Sequence, residues 1–453
     1  MNIRNFFKTF LIIGQSRTVR IKKNIIASFG LKGFSILVGF LLVPLTLNYL
    51  SPLKYGIWLT LSSIIGWFGF FDIGLGNGLR NKLAEAFALK DYKLSKIYIS
   101  TTYAALSIII GSVYVLFFIM NSYLNWAIIL NTSLEMSVEL NCVAMIVFSF
   151  FALRFVLKLI GVILTADQLP AYNSIFDSIG NIFTLIAIYI VTTSSKGSLL
   201  YVSIIYTATP VIVLIIASFY FFNGKYKVIK PSIKYIDFKY LKPLAGLGVK
   251  FFLLQIAVII IFSTDNLIIT QILGPAEVIP YNIAFKYFGI PIMIFSIILT
   301  PFWSAFTDSI SKNDIKWIKT ALTKLISIWF LVVVVVIIML VFSKYFYIMW
   351  IGDKVYIPFV LSVYMGFYAV LVTWNTIFSY FLNGAGKIKL QMYDGILAMI
   401  INIPISIFLA KNIGMGSTGV ILGTCISLAT GSLLIPIQTK KIISGSAKGI
   451  WNK

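Results

Sequence analysis

The chain has 453 residues, of which 59% are hydrophobic and only 11% charged, with a mean hydropathy of +0.97. Soluble domains carry about 25% charged residues, so a soluble enzyme, a secreted disulfide scaffold and a disordered chain are all excluded. The absence of histidine removes Ser-His-Asp and Cys-His catalytic pairs, histidine metal sites and histidine pH switches. An integral membrane protein remains, and its net charge of +23 must be explained by where the charges fall.

Roughly 20 mainly apolar residues make a spanning helix, and the runs of that kind predict twelve spans. A basic arm with Arg4, Lys8, Arg17, Arg20, Lys22 and Lys23 precedes the first span, at about 25–50. Its early apolar run, Phe10 to Gly14, is too short for a signal-peptide core, so the first span is read as a retained anchor. Span two (55–77) leads into Arg80, Lys82, Lys90, Lys93 and Lys96. Spans three (97–120) and four (142–165) flank the longest outer connection, and span four closes near Arg154 and Lys158. Spans five (172–192) and six (199–222) end in a connection over 223–243 that holds six lysines and Pro231. Spans seven (246–273) and eight (280–305) precede Lys312, Lys316, Lys319 and Lys324. Spans nine (321–347) and ten (356–382) precede Lys387 and Lys389, and eleven (390–410) and twelve (417–438) precede Lys440, Lys441, Lys448 and Lys453. Long unbroken apolar runs rule out barrel strands, which alternate over about ten residues.

Basic residues thus recur at every second connection, whereas the opposite side carries only Lys54, Lys196, Lys344, Lys354 and Lys411. By the positive-inside rule both termini are cytoplasmic. The basic excess is a topology signal, not a nucleic-acid surface. Cys142 and Cys425 lie in apolar runs and read as small packing residues. No motif implies a cofactor or a metal.

The lysine-rich 223–243 connection divides the chain into an N-terminal lobe (1–230, spans one to six) and a C-terminal lobe (231–453, spans seven to twelve). Leu50-Ser51-Pro52 matches Leu273-Gly274-Pro275 at an offset of 223, and Asp91 and Lys93 match Asp314 and Lys316 at the same offset. That echo suggests a duplicated unit. With an even number of spans per half the repeat is parallel, as in transporters with two lobes around a central cavity. No extramembrane segment is long enough to fold alone, so transport is the default function.

Ionisable groups at membrane depth are costly and usually functional. The candidates are Lys32, Asp72, Arg80, Arg154, Lys158, Asp177, Asp265, Lys286 and Asp394. Arg154 lies about 18 Å in from the outer end of span four, too deep for easy snorkelling. Asp177 and Asp394 sit nearer the cytoplasmic ends of their helices, where snorkelling or capping competes with function. Asp265 and Lys286 fall at similar depth on adjacent spans, either as an ion pair or with Lys286 left to meet an anion. Lys32, Arg80, Arg154 and Lys286 suit a phosphate-bearing cargo; the aspartates suit protons, Na⁺ or a cationic cargo.

The most individual stretch reads Pro44-Leu45-Thr46-Leu47-Asn48-Tyr49-Leu50, then Tyr55-Gly56-Ile57-Trp58, then Phe71-Asp72-Ile73-Gly74-Leu75-Gly76-Asn77-Gly78-Leu79-Arg80-Asn81. It resembles the start of bacterial polysaccharide flippases, including O-antigen flippases, within the MATE-like superfamily of drug exporters and oligosaccharide-lipid flippases. The resemblance implies twelve transmembrane helices in two six-helix lobes around a central cavity. It also implies translocation of an undecaprenyl-diphosphate-linked oligosaccharide from the cytoplasmic to the periplasmic leaflet of the inner membrane. Cationic cavity residues on spans one, two and eight are expected from it; Lys32, Arg80 and Lys286 occupy those spans, and only Arg80 lies inside the matching stretch. A polysaccharide polymerase and a chain-length regulator are the protein partners it suggests, with H⁺ or Na⁺ as coupling ion. An ion-coupled multidrug exporter on the same fold is the rival reading; a polymerase is a weaker one, since no large outer loop is present. Gly74, Gly76 and Gly78 are spaced by twos and match no nucleotide loop, and Asn383-Gly384-Ala385-Gly386-Lys387 reads as a helix-connecting turn. With no ATPase motor in the sequence, an ion gradient, the membrane potential or downstream removal of product must drive transport. The Gly74–Gly78 bend and Pro291, Pro301 and Pro404 are the expected hinges.

Overall fold

The computed structural model describes residues 16–67, 75–169, 171–242 and 264–452. All of their regular structure is helical. In chain order the helices are α1 (Ser16–Tyr49), α2 (Pro52–Trp67), α3 (Leu75–Ala88), α4 (Tyr92–Asn121), α5 (Ser137–Leu157), α6 (Leu159–Ala166) and α7 (Ala171–Ser194). They continue with α8 (Leu199–Asn223), α9 (Asp265–Leu273), α10 (Val278–Ser311), α11 (Ile315–Ile351), α12 (Phe359–Ala385), α13 (Lys389–Ile407) and α14 (Ser417–Ile443).

Among the described residues nine helical segments are long and apolar enough to cross a membrane: expected spans three to six and eight to twelve. The apolar part of span one is shorter, and spans two and seven run into residues outside the description. Only helices can cross as single segments, because each satisfies its own backbone hydrogen bonds where no water is available. On α11, Phe330, Leu331, Val334, Ile337, Ile338 and Val341 are all exposed, an apolar band of the kind a lipid-facing helix presents.

The chain forms two compact units. The first comprises 1–50, 71–124 and 138–251; the second comprises 51–70, 125–137 and 252–453. In the first, α7 packs on both α1 and α8. Hydroxyl pairs tie these helices: Ser35 to Ser178 at 2.9 Å, Thr46 to Tyr206 at 2.8 Å and Tyr49 to Ser195 at 2.7 Å. In a bilayer such bonds average about 0.6 kcal/mol each, so they select packing partners more than they stabilise.

In the second unit α12 packs against α10 and α14, and α13 packs on α14. Gly419 and Gly423 let α14 press onto the end of α13; a Cβ at Gly419 would sit 2.7 Å from the Ala410 nitrogen, and one at Gly423 would sit 2.8 Å from Ser406 Cα. This is the close approach that a Gly-x-x-x-Gly spacing permits. Just beyond Pro404, which cannot donate its backbone nitrogen, the chain widens into a π-helical turn over Phe408–Asn412. Pieces of the N-terminal half complete this unit. Thr60 bonds Thr270 at 2.6 Å, the Asn131 amide donates to the Thr270 carbonyl at 3.0 Å, and the Gln271 amide donates to the Ile128 carbonyl at 3.0 Å.

The echo at offset 223 is present in the backbone. Lys90 and Asn313 both adopt left-handed φ values, 56° and 54°. The residue after each is an aspartate whose carboxylate caps the next helix: Asp91 accepts from the Leu94 nitrogen at 2.8 Å, and Asp314 accepts from the Trp317 nitrogen at 2.9 Å. Either cap satisfies an otherwise orphaned helix-end donor, worth about 1 kcal/mol. The expected turn at Asn383 to Lys387 ends α12 with Gly386 at φ 66° and paired bonds from the Gly386 and Lys387 nitrogens, a Schellman closure.

Candidate functional site

Span four is not one straight helix. The ladder changes register at Lys158, between α5 and α6, where the Gly161 nitrogen reaches the Lys158 carbonyl at 3.0 Å. Gly161 has no side chain, and a Cβ there would overlap the Asn173 side-chain oxygen on α7. Joint and glycine together leave a cavity of about 320 Å³ inside the first unit. Gly76 and Arg80 of α3, Arg154 of α5, Lys158 at the joint, Gly161, Val162 and Thr165 of α6, and Asn173, Phe176 and Asp177 of α7 line it. Leu214 of α8 completes the wall.

Helical register explains the convergence. Arg154, Lys158, Gly161 and Thr165 follow one another at three- and four-residue steps, and Phe176 and Asp177 lie three and four residues beyond Asn173, so each set shares a side of its helix. Asn173 donates to Thr165 Oγ1 at 3.0 Å and to the Gly161 carbonyl at 3.3 Å, which fixes the amide wall. Arg154 and Asp177 approach to 3.8 Å, beyond hydrogen-bond distance, with their side chains 46% and 67% exposed. An ion pair that loose contributes at most about 1 kcal/mol to stability. Three cations against one carboxylate leave the described lining with an excess of positive charge that suits an anion.

Four of the nine expected site residues therefore meet: Arg80, Arg154, Lys158 and Asp177. The sequence left Asp177 open between a site role and snorkelling or capping and did not foresee its approach to Arg154; the four-residue step from Asn173 was the available signal. Asn173, Thr165 and Phe176, ordinary helix residues by sequence, were not anticipated either.

Asp265, Lys286 and Asp394 lie in the second unit, and of the two alternatives for Asp265 and Lys286 the ion pair does not form. The Asp265 carboxylate instead accepts hydrogen bonds from the Tyr281 hydroxyl and, at 3.3 Å, the Thr424 hydroxyl. Lys286 is five residues beyond Tyr281, about 140° around the helix, and so points away from the carboxylate that Tyr281 meets. Asp394 accepts from Thr430 at 2.8 Å, beside Gly431. Asp72 and the Lys32 side chain lie outside the described residues. Both cysteines are free, Cys425 buried and Cys142 exposed. No group of metal-ligating side chains occurs among the described residues.

The six-lysine connection is fastened to the first unit. Tyr226 donates to Asp167 at 2.7 Å beside a Lys225–Asp167 ion pair. Burial and then the Asp167 carboxylate push the Tyr226 hydroxyl's pKa upward, which keeps it a donor. Farther along, the Ser232 nitrogen bonds Ser100 at 3.0 Å, the Asp237 nitrogen bonds Thr101 at 3.0 Å, and Lys96 lies over the Tyr235 ring. The Asp167 contacts hold the α6–α7 corner, and the later ones tie the connection to α4.

No family model matches the chain. Its sequence is similar to an O-antigen export protein of Yersinia pseudotuberculosis, 22% identical over 80% of this chain and 83% of the relative. It is also similar to an O-antigen transporter of Salmonella typhi, 26% identical over 63% of this chain and 66% of that one. Among solved structures, a multidrug resistance MATE family transporter of the MOP superfamily in its inward-facing conformation superposes with a TM-score of 0.77. That match has 14% identity and covers 93% of this chain and 98% of the other. The chain has the fold of the MATE transporters. The outward-facing MATE transporter structure gives a TM-score of 0.65 at 15% identity, over 96% and 98% of the two chains. Helix layout is thus shared while the residues are not, so what this chain does has to be argued from its own side chains.

Proposed function

We propose that this transporter flips an undecaprenyl-diphosphate-linked oligosaccharide from the cytoplasmic to the periplasmic leaflet of a bacterial inner membrane. Lobes 1–230 and 231–453 alternate in access around a central cavity, and both chain termini are cytoplasmic. One observation carries the reading: Arg80, Arg154 and Lys158 converge on a single cavity whose only carboxylate among the described residues is Asp177. A diphosphate leaving water for the membrane loses solvation worth tens of kcal/mol in hydrocarbon, and guanidinium and ammonium donors replace it. The forks of Arg80 and Arg154 suit paired phosphate oxygens, Lys158 supplies a point charge, and the amide and hydroxyl of Asn173 and Thr165 suit sugar hydroxyls. The lipid tail stays in the bilayer. A membrane potential that is negative inside favours outward passage of a dianion by about 4.6 kcal/mol per 100 mV. The two O-antigen relatives support the same cargo class.

The test is complementation of a strain whose own O-antigen exporter has been deleted. Arg154→Ala and Lys158→Ala at wild-type protein level should abolish surface polysaccharide. Normal polysaccharide in both variants rejects the reading. An ion-coupled multidrug exporter is the second reading, favoured by the buried Asp265 with its two hydroxyl donors. Resistance to organic cations that depends on Asp265 but not on Arg154 would support it.

A further inference from the structure

The charges that line the first-unit cavity form a small sum. Among the described lining residues Arg80, Arg154 and Lys158 contribute three positive charges, and Asp177 subtracts one, leaving two. A lipid diphosphate that carries a sugar is a diester, and each of its phosphates holds one strongly acidic oxygen, so its charge is −2. The bare lipid diphosphate is a monoester whose terminal phosphate ionises a second time with a pKa near 6, which brings it close to −3 at pH 7.5. The lining therefore matches the glycosylated carrier and is one charge short for the bare one.

Asp177 is placed to enforce that difference. Its carboxylate faces the cavity, is well exposed, and meets Arg154 at 3.8 Å without a close hydrogen bond. A structural ion pair would be buried and tightly bonded. This one leaves the Arg154 donors free to turn to a cargo phosphate and keeps a negative charge beside it. Specificity of this kind arises as much from repulsion of the wrong ligand as from attraction of the right one.

We propose that Asp177 is a specificity-determining residue that makes the cavity select a sugar-bearing lipid diphosphate over the same lipid ending in a free diphosphate. The inference rests on the flippase reading above and names a property that reading does not require. Asp177 discriminates through the extra charge of the terminal phosphate, so the effect is electrostatic and does not depend on which sugar is attached.

The full-length protein in neutral-lipid nanodiscs serves for the test, with binding measured at pH 7.5 for undecaprenyl diphosphate and for the same lipid bearing one N-acetylhexosamine. The wild type should prefer the glycosylated lipid. In Asp177→Asn the ratio of the two dissociation constants should move about tenfold toward the bare lipid, as expected for one charge at close range in a partly solvated site. Asp177→Glu should restore the wild-type ratio, and Glu85→Gln, at an exposed carboxylate of the same unit outside the cavity lining, should leave it unmoved. A ratio unchanged in Asp177→Asn, or shifted equally by Glu85→Gln, overturns the inference while the flippase reading stands. Failure of the wild type to bind either lipid overturns both.

Discussion

The two units share a local plan and spend it differently. At an offset of 223 the turn before α4 matches the turn before α11, down to the left-handed residue and the aspartate cap (91 to 314). At an offset of 218 the turn after α6 matches the turn after α12 (168 to 386): Gln168 and Gly386 are left-handed at 61° and 66°, and the hydrogen bonds correspond. Carried along those offsets, Arg80 corresponds to Trp303, Arg154 to Val372, Lys158 to Thr376 and Asn173 to Gln391. The cationic cavity of the first unit thus has no charged counterpart in the second. There, aromatic packing takes over: Trp303 meets Tyr380 edge-on at 5.7 Å, and Phe306 meets Phe381 at 5.4 Å. The second unit keeps its buried charge elsewhere, in Asp265 with Tyr281 and Thr424. Turns and caps belong to the repeated scaffold; among the described residues this cluster of cations occurs on one copy only.

Substitutions can break or sharpen that contrast. The largest effect should come from the Arg154→Ala/Lys158→Ala double variant, with surface polysaccharide reduced at least a hundredfold while the detergent melting temperature stays near wild type. The paired changes in the second unit, Val372→Ala and Thr376→Ala, should leave polysaccharide within twofold; equal losses in both units would dissolve the contrast. Next, Gly423→Val drives two methyl groups into Ser406 of α13. It should cost about 1–3 kcal/mol, read as a lowered melting temperature with loss of folded protein. Gly161→Ala, facing the cavity, should lose export through displacement of Asn173 with a smaller change in melting.

Smaller effects sharpen the scaffold half of the comparison. Asp91→Ala and Asp314→Ala each remove one helix cap and should each cost about 1 kcal/mol, equal within error by chemical denaturation in detergent. Unequal costs would show that the two turns are alike in shape but not in role. Breaking the exposed Lys82–Glu85 pair with Glu85→Gln should change stability by less than about 0.5 kcal/mol.

Hydropathy and the rhythm of the lysines were sufficient to predict an all-helical membrane protein, most of its spans and the repeat, since a helix in lipid satisfies its backbone alone and must be apolar along its length. Span boundaries such as 142–165 and 199–222 agree with the helices within a few residues for the same reason. Which charges meet was another matter. Arg80, Arg154 and Asp177 are separated by 74 and 23 positions, and their encounter depends on the joint at Lys158, the bare face of Gly161 and the packing of α7. Asp265 and Lys286, at similar depth and so open to pairing, do not meet because rotation about the helix axis is decided by neighbours and not by the distance an element travels through the bilayer. Sequence determined how far each helix reaches. Tertiary packing decided which way its side chains face, because the contacts that orient a helix come from other segments of the chain.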